Sequence, residues 1–282
     1  MLDNRIYTFI NLCETMNYRK TAENLSMTQP AVTQHIQFLE QEYGCKLFNY
    51  DKRKLSRTQD AEKLLSCARS ALYNEINLRN LLKRDKPITM RIGATKTIGN
   101  YEIAQKISHL LADNNILLSV IIDNTENLLR MIDNGELDFA LVEGYFDRSK
   151  YDCTLMKKVD FVGICKKSHA FAGKMVSPSE LYGQKILIRE KGSGTRAIFE
   201  RFLLNRNYSI NQFENVSEIS SFELLKSCLR QTDAITFAYK TVATSDSELT
   251  TFYLDEKIYG EFNYVYLRNT SAKAFVDKFK NI

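Results

Sequence analysis

The chain has 282 residues, of which 44% are hydrophobic and 26% are charged. This length exceeds one small domain and fits two or three, and the hydrophobic share is enough to build cores. Because only 11 residues are glycine and 3 are proline, the composition excludes a fibrous or largely disordered chain. The net charge of +5 suits a polyanionic partner but also occurs in many enzymes, so charge alone does not choose between them.

Targeting segments and metal sites have no signature in the sequence. No stretch approaches the ~20 consecutive apolar residues that cross a bilayer, and charged residues stand where a signal peptide needs an apolar run. We therefore expect a cytoplasmic protein without membrane contact. The six cysteines lie far apart and the three histidines stand in unrelated contexts, so we expect reduced thiols, no metal site and no cofactor.

The N-terminal segment predicts three helices. A short second helix runs through Ala22 and Leu25, and the third begins after Thr28, a suitable N-cap, with Pro30 tolerated in its first turn. Gly44 ends the third helix. The first helix is indicated by apolar residues at i, i+3, i+4 and i+7, which are Ile6, Phe9, Ile10 and Cys13.

The third helix has two unlike faces. Apolar residues share one face, and residues that both donate and accept hydrogen bonds share the other. The second face is therefore polar but almost uncharged. The apolar set is Val32, Ile36, Leu39 and Tyr43, and the polar set is Gln29, Thr33, Gln34 and Gln37.

A basic hairpin is predicted at residues 46–57, where five basic residues oppose the single acidic Asp51. A polar helix that follows a short helix and a tight turn, with a basic hairpin after it, is typical of a winged helix-turn-helix. In that arrangement the helix enters the DNA major groove and the wing contacts phosphate. The pattern alone also leaves a merely solvated helix face open. The basic residues are Lys46, Lys52, Arg53, Lys54 and Arg57.

A long helix without glycine or proline is predicted from about Thr58 to Asp85. At 1.5 Å per residue it spans ~40 Å, and its broad apolar stripe needs a covering partner. We interpret it as a linker that also pairs with a second copy of the chain. The stripe comprises Leu64, Leu65, Ala68, Ala71, Leu72, Ile76, Leu78 and Leu82.

From Ile88 onward short strands alternate with helices, which is typical of α/β architecture. An offset of 96 residues aligns two halves, for example Ile92 with Ile188, so we expect two similar lobes with one cleft between them. The chain is expected to cross between lobes near Val159 and Tyr259. The expected strands are residues 88–92, 117–122, 139–142, 161–165, 185–188, 234–237 and 263–267, and the expected helices are 101–112, 127–133, 197–205, 222–229 and 272–279.

No complete enzyme motif is present. Residues 192–197 satisfy G-x-G-x-x-A between a strand and a helix, but outside the setting of the dinucleotide fingerprint, so dinucleotide binding is a minor alternative. The loop does offer backbone N–H groups and the hydroxyls of Ser193 and Thr195. Residues 95–97 make the same offer from the other lobe, and Thr125 is expected to cap a third helix close by. Two facing helix starts favour the binding of a carboxylate or inorganic oxyanion in the cleft. An equal alternative is that these Ser and Thr residues only cap their helices.

Several segments resemble LysR-type transcriptional regulators over nearly the whole chain. Residues 21–36 read TAENLSMTQPAVTQHI, followed by Leu39-Glu40, GCKLF at 44–48 and IGAT at 92–95, and residues 135–142 read GELDFALV. The resemblance implies a DNA-binding transcriptional regulator, not an enzyme. Its fold would be α+β and multi-domain, with an N-terminal winged helix-turn-helix, a long linker helix and a two-lobed, periplasmic-binding-protein-like effector domain.

The resemblance also implies domain limits and partners. The winged helix-turn-helix would be residues 1–58, the linker and dimerisation helix 59–86, and the effector-binding domain 87–282. Lobe one would be about 87–159 and 260–282, and lobe two about 160–259. The implied partners are double-stranded promoter DNA with two half-sites, a small anionic effector and further copies in a homodimer or homotetramer, and contact with RNA polymerase is left open.

Site residues follow from the resemblance by position. Base edges would be contacted by Gln29, Pro30, Thr33 and Gln34, phosphates by Thr28 and His35, and the DNA backbone at the wing by Arg53 and Lys54. The effector cleft would be lined by Thr95, Thr97, Thr125, Ser193 and Thr195, with Lys96 and Arg196 as charge partners.

The chain departs from the family pattern at several positions. Tyr50 stands where the family usually has an arginine two residues after Leu-Phe, and Lys52 and Arg57 are expected to compensate for the missing charge. Residues 57–61 replace the family's usual Leu-Thr-x-x-Gly. RQTDAI at 230–235 replaces a Gly-rich turn, which affects the shape of the second lobe's cleft. We therefore keep two alternatives: a constitutive DNA-binding regulator with a vestigial cleft, and an enzyme or transport-type solute binder.

Overall fold

The computed structural model describes residues 2–51, 54–82 and 87–282. The chain forms two compact units. One comprises the chain before Pro87 together with Leu267–Ser271, and the other comprises Pro87–Tyr266 and Ala272–Ile282. Arg53 and Lys52 of the predicted wing, and residues 83–86 of the predicted linker, lie outside the described residues.

The first unit contains the predicted winged helix-turn-helix and linker helix. Thr28 accepts a hydrogen bond from the Ala31 N–H as the N-cap of the third helix, and Gly44 ends that helix with a φ of 63°. Thr58 caps the linker helix in the same way. The elements are α1 (Asn4–Thr15), α2 (Tyr18–Asn24), α3 (Gln29–Tyr43), β1 (Phe48–Asp51), β2 (Lys54–Arg57) and α4 (Gln59–Leu81).

The core of this unit fixes which face of α3 points outward. Phe9 and Leu12 of α1 pack with Ile36 and Leu39 of α3, and all four are buried. Burial of such a side chain contributes ~1.5 to 3 kcal/mol, so the orientation of α3 is strongly favoured. Tyr43, predicted on the same face, is exposed instead because it stands in the last turn of the helix.

The apolar stripe of α4 is only partly covered, although Tyr73 and Asn77 of its C-terminal half are buried. Ala61, Leu65 and Ala68 are buried, whereas Leu78 is 56% and Leu82 71% exposed. The helix ends at Leu81, earlier than the predicted Asp85. Its C-terminal half therefore presents apolar side chains that the described part of this unit does not cover.

The second unit is α/β, as the sequence predicts. Its helices are α5 (Lys96–Tyr101), α6 (Ala104–Leu111), α7 (Thr125–Asp133), α8 (Gly194–Leu204), α9 (Phe222–Gln231), α10 (Lys240–Thr244) and α11 (Ala272–Lys280), with 3-10 turns at Pro178–Leu181 and Ile210–Gln212. Its strands are β3 (Ile88–Thr95), β4 (Ile116–Asp123), β5 (Phe139–Glu143), β6 (Tyr151–Lys166), β7 (Met175–Val176), β8 (Lys185–Ile188), β9 (Val216–Glu218), β10 (Ala234–Tyr239), β11 (Leu249–Leu254) and β12 (Ile258–Leu267).

The strands form two parallel groups joined by two long strands. The sheet order is β4-β3-β5-β12-β6-β10-β8-β9, and β11 pairs with β6 and β7. We call β3 to β5 with α5 to α7 and α11 the first lobe, and β7 to β11 with α8 to α10 the second lobe. Strands β5 and β10 run antiparallel to β12 and β6, so the joining strands lie between the lobes. The predicted crossings at Val159 and Tyr259 fall within these two strands.

Several elements differ from the sequence prediction. The helix expected at 101–112 is α6, the preceding α5 was not predicted, and the strand expected at 161–165 is the last part of β6. Strands β7, β9 and β11 and helix α10 were not predicted, because two- to six-residue elements are too short for a clear period. Among the described residues no helix combines the length and apolar composition needed to cross a bilayer.

Candidate DNA interface and effector cavity

The outward face of α3 is polar and accessible. Gln29, Pro30 and Gln34 are exposed, and Thr33 is half-buried. The Gln29 amide nitrogen donates to the Thr33 hydroxyl at 3.0 Å, and that hydroxyl donates to the Gln29 carbonyl oxygen at 3.1 Å. These bonds are surface bonds that DNA bases can replace, since glutamine can pair with adenine and threonine can contact either base edge or the thymine methyl.

His35 joins α3 to α1. Its Nδ1 lies 2.9 Å from the hydroxyl of Thr8, a buried residue of α1. A cavity of about 480 Å³ beside His35 is also lined by Arg5, whose guanidinium lies 3.6 Å from the ring centroid of Phe38 on α3. Sequence reasoning missed Arg5, whose guanidinium also lies 2.9 Å from the Asp3 carboxylate.

Glu40 connects α3 to the hairpin. Its carboxylate accepts from the Lys46 ammonium at 2.7 Å and from the Leu47 N–H at 2.9 Å. Burial alone would raise the pKa of Glu40, but these hydrogen bonds outweigh it and hold the pKa below its ordinary value. The start of the wing is therefore fixed to α3 by an ionised carboxylate.

The described part of the wing presents Lys54 to solvent. Arg57, which was expected to compensate for the missing wing arginine, is exposed, and its guanidinium lies 2.9 Å from the Glu62 carboxylate. Of the predicted wing contacts, Lys54 is exposed and Arg53 lies outside the described residues. Exposed Tyr50 also stands on β1.

A cavity of about 470 Å³ opens between the lobes at the starts of α7 and α8. Three of the seven predicted effector residues line it, namely Thr125, Ser193 and Arg196, whereas Thr95, Lys96, Thr97 and Thr195 are not among its lining residues. The remaining lining residues are Glu126, Leu129, Tyr145, Lys191, Gly192, Gly194, Ala197 and Glu200.

The hydroxyls at these helix starts do not cap their helices. Asn124 caps α7, so the expectation that Thr125 does so is wrong; the Thr125 hydroxyl donates to the Glu143 carbonyl oxygen at 2.9 Å instead. Ser193 precedes α8 without a cap hydrogen bond, and its hydroxyl lies 2.8 Å from that of Thr195. Because no side chain closes the start of α8, its N-terminal N–H groups and positive dipole end suit an anion.

The two predicted charge partners are already paired. Lys96 lies 3.0 Å from Glu190 and connects the lobes, and Arg196 lies 2.7 Å from Glu200 and 2.6 Å from Glu218. Lys191 and Arg196 in the cavity wall are balanced by Glu126 and Glu200. The side-chain charges of the cavity wall therefore do not decide the sign of a ligand.

The backbones of the two lobes meet at Gly144 and Gly194. A Cβ placed on Gly144 would lie 2.7 Å from the Gly194 Cα, and one on Gly194 would lie 2.5 Å from the Glu143 carbonyl oxygen. Gly144 also has a φ of 83°, which disfavours other residues. Only glycines permit this contact.

Two family models cover most of the chain. Residues 4–62 match the bacterial regulatory helix-turn-helix protein, lysR family, and residues 87–282 match the LysR substrate binding domain. The chain belongs to the LysR family. It is a DNA-binding transcriptional regulator with an effector-binding domain, as the resemblance in the sequence implies.

Individual relatives of this LysR-family regulator agree with that assignment. An uncharacterized HTH-type transcriptional regulator in the lacR 5' region of Staphylococcus xylosus is 29% identical over 237 residues, which cover 83% of each chain. A full-length OxyR variant from Pseudomonas aeruginosa is 16% identical, with a TM-score of 0.61 over 100% of this chain and 94% of that one. The CcmR regulatory domain of Synechocystis PCC6803, in complex with 2-PG, is 21% identical with a TM-score of 0.61 over 68% of this chain and 96% of its own.

Sequence reasoning missed a buried polar cluster in the effector domain of this LysR-family regulator. Glu143, at the end of β5, is 2% exposed and accepts from the Thr97 hydroxyl at 3.0 Å. Burial raises the pKa of Glu143 to about 8, against the hydrogen bond from Thr97 and the charge of Arg189, so the carboxyl is protonated at neutral pH. The sequence signal that could have revealed this cluster is a glutamate directly after the apolar run FALV at residues 139–142.

Arg189 and Glu190 face this carboxyl from the second lobe. Arg189 is 3% exposed, lies 2.9 Å from the Glu190 carboxylate and stacks 4.1 Å from the ring centroid of Phe222. Burial raises the pKa of Glu190, but the hydrogen bonds and charges of Arg189 and Lys96 outweigh it and lower the pKa below its ordinary value. The cluster therefore holds one neutral and one ionised carboxyl group.

Proposed function

We propose that this regulator reads promoter DNA through α3 and senses a small anion between its lobes. The DNA proposal is carried by the outward polar face of α3, which the buried apolar face opposite holds in place. Gln29, Pro30, Thr33 and Gln34 contact base edges in this proposal. Thr28, His35, Arg53 and Lys54 contact phosphates, which position the helix without reading sequence.

The anionic effector is supported by the start of α8. It opens into the cavity without a side-chain cap, and the Ser193 and Thr125 side chains stand beside it. A volume of about 470 Å³ suits a small metabolite. The CcmR regulatory domain, which shares the fold, is in complex with 2-PG. Arg196 lines the cavity, and in this proposal Thr95, Lys96, Thr97 and Thr195 stand behind its wall.

We further propose that the regulator works as a homodimer or homotetramer in the cytoplasm, with domains at residues 1–58, 59–86 and 87–282. The exposed Leu78 of α4 and Leu82, the residue after this helix, supply the surface for a second copy. An effector shifts the assembly only by binding two arrangements of the assembly with different affinities. In this proposal the regulator catalyses no reaction. Contact with RNA polymerase is a further part of the proposal.

Thermal-shift titration of the full-length protein with a panel of small carboxylates, sulfate and phosphate esters tests the effector proposal. An anion that binds the folded state raises the melting temperature with concentration. Ser193→Ala should reduce that rise, whereas the control Ser227→Ala, at a hydroxyl in α9 that accepts from Gln231, should not. A rise that Ser193→Ala leaves unchanged would count against the α8 start as the anion site.

A constitutive regulator with a vestigial cleft is the second candidate. It is favoured by the contacts that already close the lobes, which are the Lys96–Glu190 pair and the Gly144–Gly194 backbone contact. In that case no anion of the panel raises the melting temperature, while DNA binding is retained. X-ray scattering of the DNA complex with and without a stabilising anion then separates sensing, which changes the scattering curve, from passive binding, which does not.

A further inference from the structure

Four buried side chains at the facing strand ends carry polar atoms without a hydrogen-bond partner among the described residues. These atoms are Thr95 Oγ1, Glu143 Oε2, Arg189 Nη1 and Tyr239 OH. All four residues are at most 3% exposed. Buried polar groups are normally paired, so four unpaired groups at neighbouring strand ends require an explanation.

The four groups come from neighbouring strand ends of both lobes. Thr95 and Glu143 end β3 and β5, which pair in parallel with Ala94 opposite Leu141. Tyr239 ends β10 and Arg189 directly follows β8, and these strands pair in parallel with Thr236 opposite Leu187.

The second lobe packs against Glu143 at these strand ends, because a Cβ placed on Gly194 would lie 2.8 Å from the Glu143 Cγ. The charge of Arg189 lowers the pKa of Glu143, and that of Glu190 raises it. Burial is the largest cause that raises the pKa of the Tyr239 hydroxyl, and the electrostatic interaction with Glu143 is the next. Glu143 and Tyr239 are also related by the 96-residue offset that aligns the two halves of the sequence.

All four groups can act as donors at neutral pH. Arg189 is a donor only, and the Thr95 and Tyr239 hydroxyls each carry one hydrogen. The Oε1 atom of Glu143 already accepts from Thr97, so the proton of the neutral carboxyl is available on Oε2. The adjacent ionised Glu190 is occupied by Lys96 and Arg189. The cluster therefore offers hydrogens to a ligand that brings acceptors.

We propose that Glu143 determines effector specificity as a neutral carboxyl that donates a hydrogen bond from Oε2 to a carboxylate or inorganic oxyanion, with Arg189, Thr95 and Tyr239 as further donors. This inference rests on the proposed anion-sensing function and deepens it. The lobes must separate for the ligand to reach the cluster, because Gly144 and Gly194 are in backbone contact. An amine ligand is disfavoured, since it would need an ionised Glu143.

The proposal predicts a defined dependence on pH. The titratable and charged groups that face Glu143 are Arg189, Glu190 and Tyr239, with Lys96 bound to Glu190. Above a pH of about 8 Glu143 ionises, and a second negative charge then opposes the anion. Anion binding near that pH should draw a proton into the site.

Calorimetric titration of the full-length protein with malonate and with sulfate tests this, because neither probe changes its charge between pH 7 and 9. The wild type should bind about tenfold more weakly at pH 9 than at pH 7 and take up a fraction of a proton at pH 8, measured in two buffers of different ionisation enthalpy. Glu143→Gln keeps a donor, so it should bind within about threefold of the wild type at pH 7 and show no dependence on pH. Glu143→Ala should bind about tenfold more weakly or worse.

The outcomes separate this inference from the proposed function. Glu214→Gln, an exposed carboxylate of the second lobe, is the control and should behave as the wild type. Suppose that the probes bind but Glu143→Gln and Glu143→Ala weaken binding equally, or that binding to the wild type does not depend on pH. Glu143 is then not the donor, whereas the proposed anion sensing stands. If the wild type binds neither probe at any pH, the anionic effector fails and the inference with it. Should Glu143→Ala not fold, the pH profile of Glu143→Gln decides.

Discussion

The ammonium of Lys96 in the first lobe lies 3.0 Å from the carboxylate of Glu190 in the second. The same carboxylate is held by Arg189 of its own lobe at 2.9 Å. Lys96 is 28% exposed along its side chain, whereas Arg189 is 3% exposed. The two cations therefore differ in how much each depends on the shared carboxylate.

Removing the two partners of this pair should have unequal effects on stability. Lys96→Ala leaves Glu190 paired with Arg189 and should cost about 1 kcal/mol, as for a partly exposed ion pair. Glu190→Gln leaves the buried Arg189 without its counter-charge and should cost about 3 kcal/mol or more. Urea denaturation at pH 7 measures both, with Glu214→Gln as an exposed control. Equal costs would show that Arg189 does not depend on Glu190.

The buried carboxyl of Glu143 should make the effector domain less stable as pH rises. Its pKa is raised from 4.5 to about 8 in the folded state, so its contribution is fully present below pH 4.5 and is lost progressively up to a pH of about 8. The loss is about 1.4 kcal/mol for each pH unit in that window. The variant Glu143→Gln has no carboxyl group to titrate at this position. Its melting temperature minus that of the wild type should therefore rise from pH 5 to pH 8. A difference that is the same at both pH values would contradict the buried neutral carboxyl.

Gly194→Ala should destabilise the effector domain. Alanine at a helix start is ordinarily neutral or stabilising relative to glycine, but here its Cβ would lie 2.5 Å from the Glu143 carbonyl oxygen. The resulting strain should cost about 1 to 3 kcal/mol or drive the lobes apart. Thermal melting measures the cost, and a variant as stable as the wild type would mean that the lobes do not meet at this glycine in solution.

The exposed end of α4 should mediate self-association. Leu78→Glu places a charge on the uncovered apolar stripe and should raise the dimer dissociation constant by about tenfold or more. Light scattering coupled to size-exclusion chromatography measures this. Leu204→Glu, at an equally exposed leucine of α8, is the matched control and should remain dimeric. A variant at Leu78 that dimerises like the wild type would exclude this surface.

Local signals were sufficient for the DNA-binding unit. Thr28, Pro30 and Gly44 fix both ends of α3, because capping and left-handed backbone are properties of single residues. The period of its apolar residues then settles which face is outward. Of the four apolar residues predicted on the inward face of α3, Tyr43 was placed wrongly, at the end of the helix where the core no longer covers it.

The effector site depends on contacts that the sequence does not show. Asn124 rather than Thr125 caps α7, a choice between neighbouring residues that capping preferences cannot make. Glu143 is in close contact with Gly194, which follows it by 51 positions and belongs to the other lobe. The crossing strand β6 was predicted at only its last third, because its first part is half-exposed and carries charged residues.

The central claim is that the polar face of α3 reads DNA bases, and paired titrations on specific and random duplexes test it most directly. A specific site is first selected from a random library with the full-length protein, and affinities are then measured by fluorescence anisotropy at several salt concentrations. Gln29→Ala should weaken binding to the specific duplex by ~1 to 3 kcal/mol and leave random DNA unchanged. Lys54→Ala should weaken both duplexes alike and lower the salt slope by ~1. An equal loss on both duplexes for Gln29→Ala would show that α3 does not read bases.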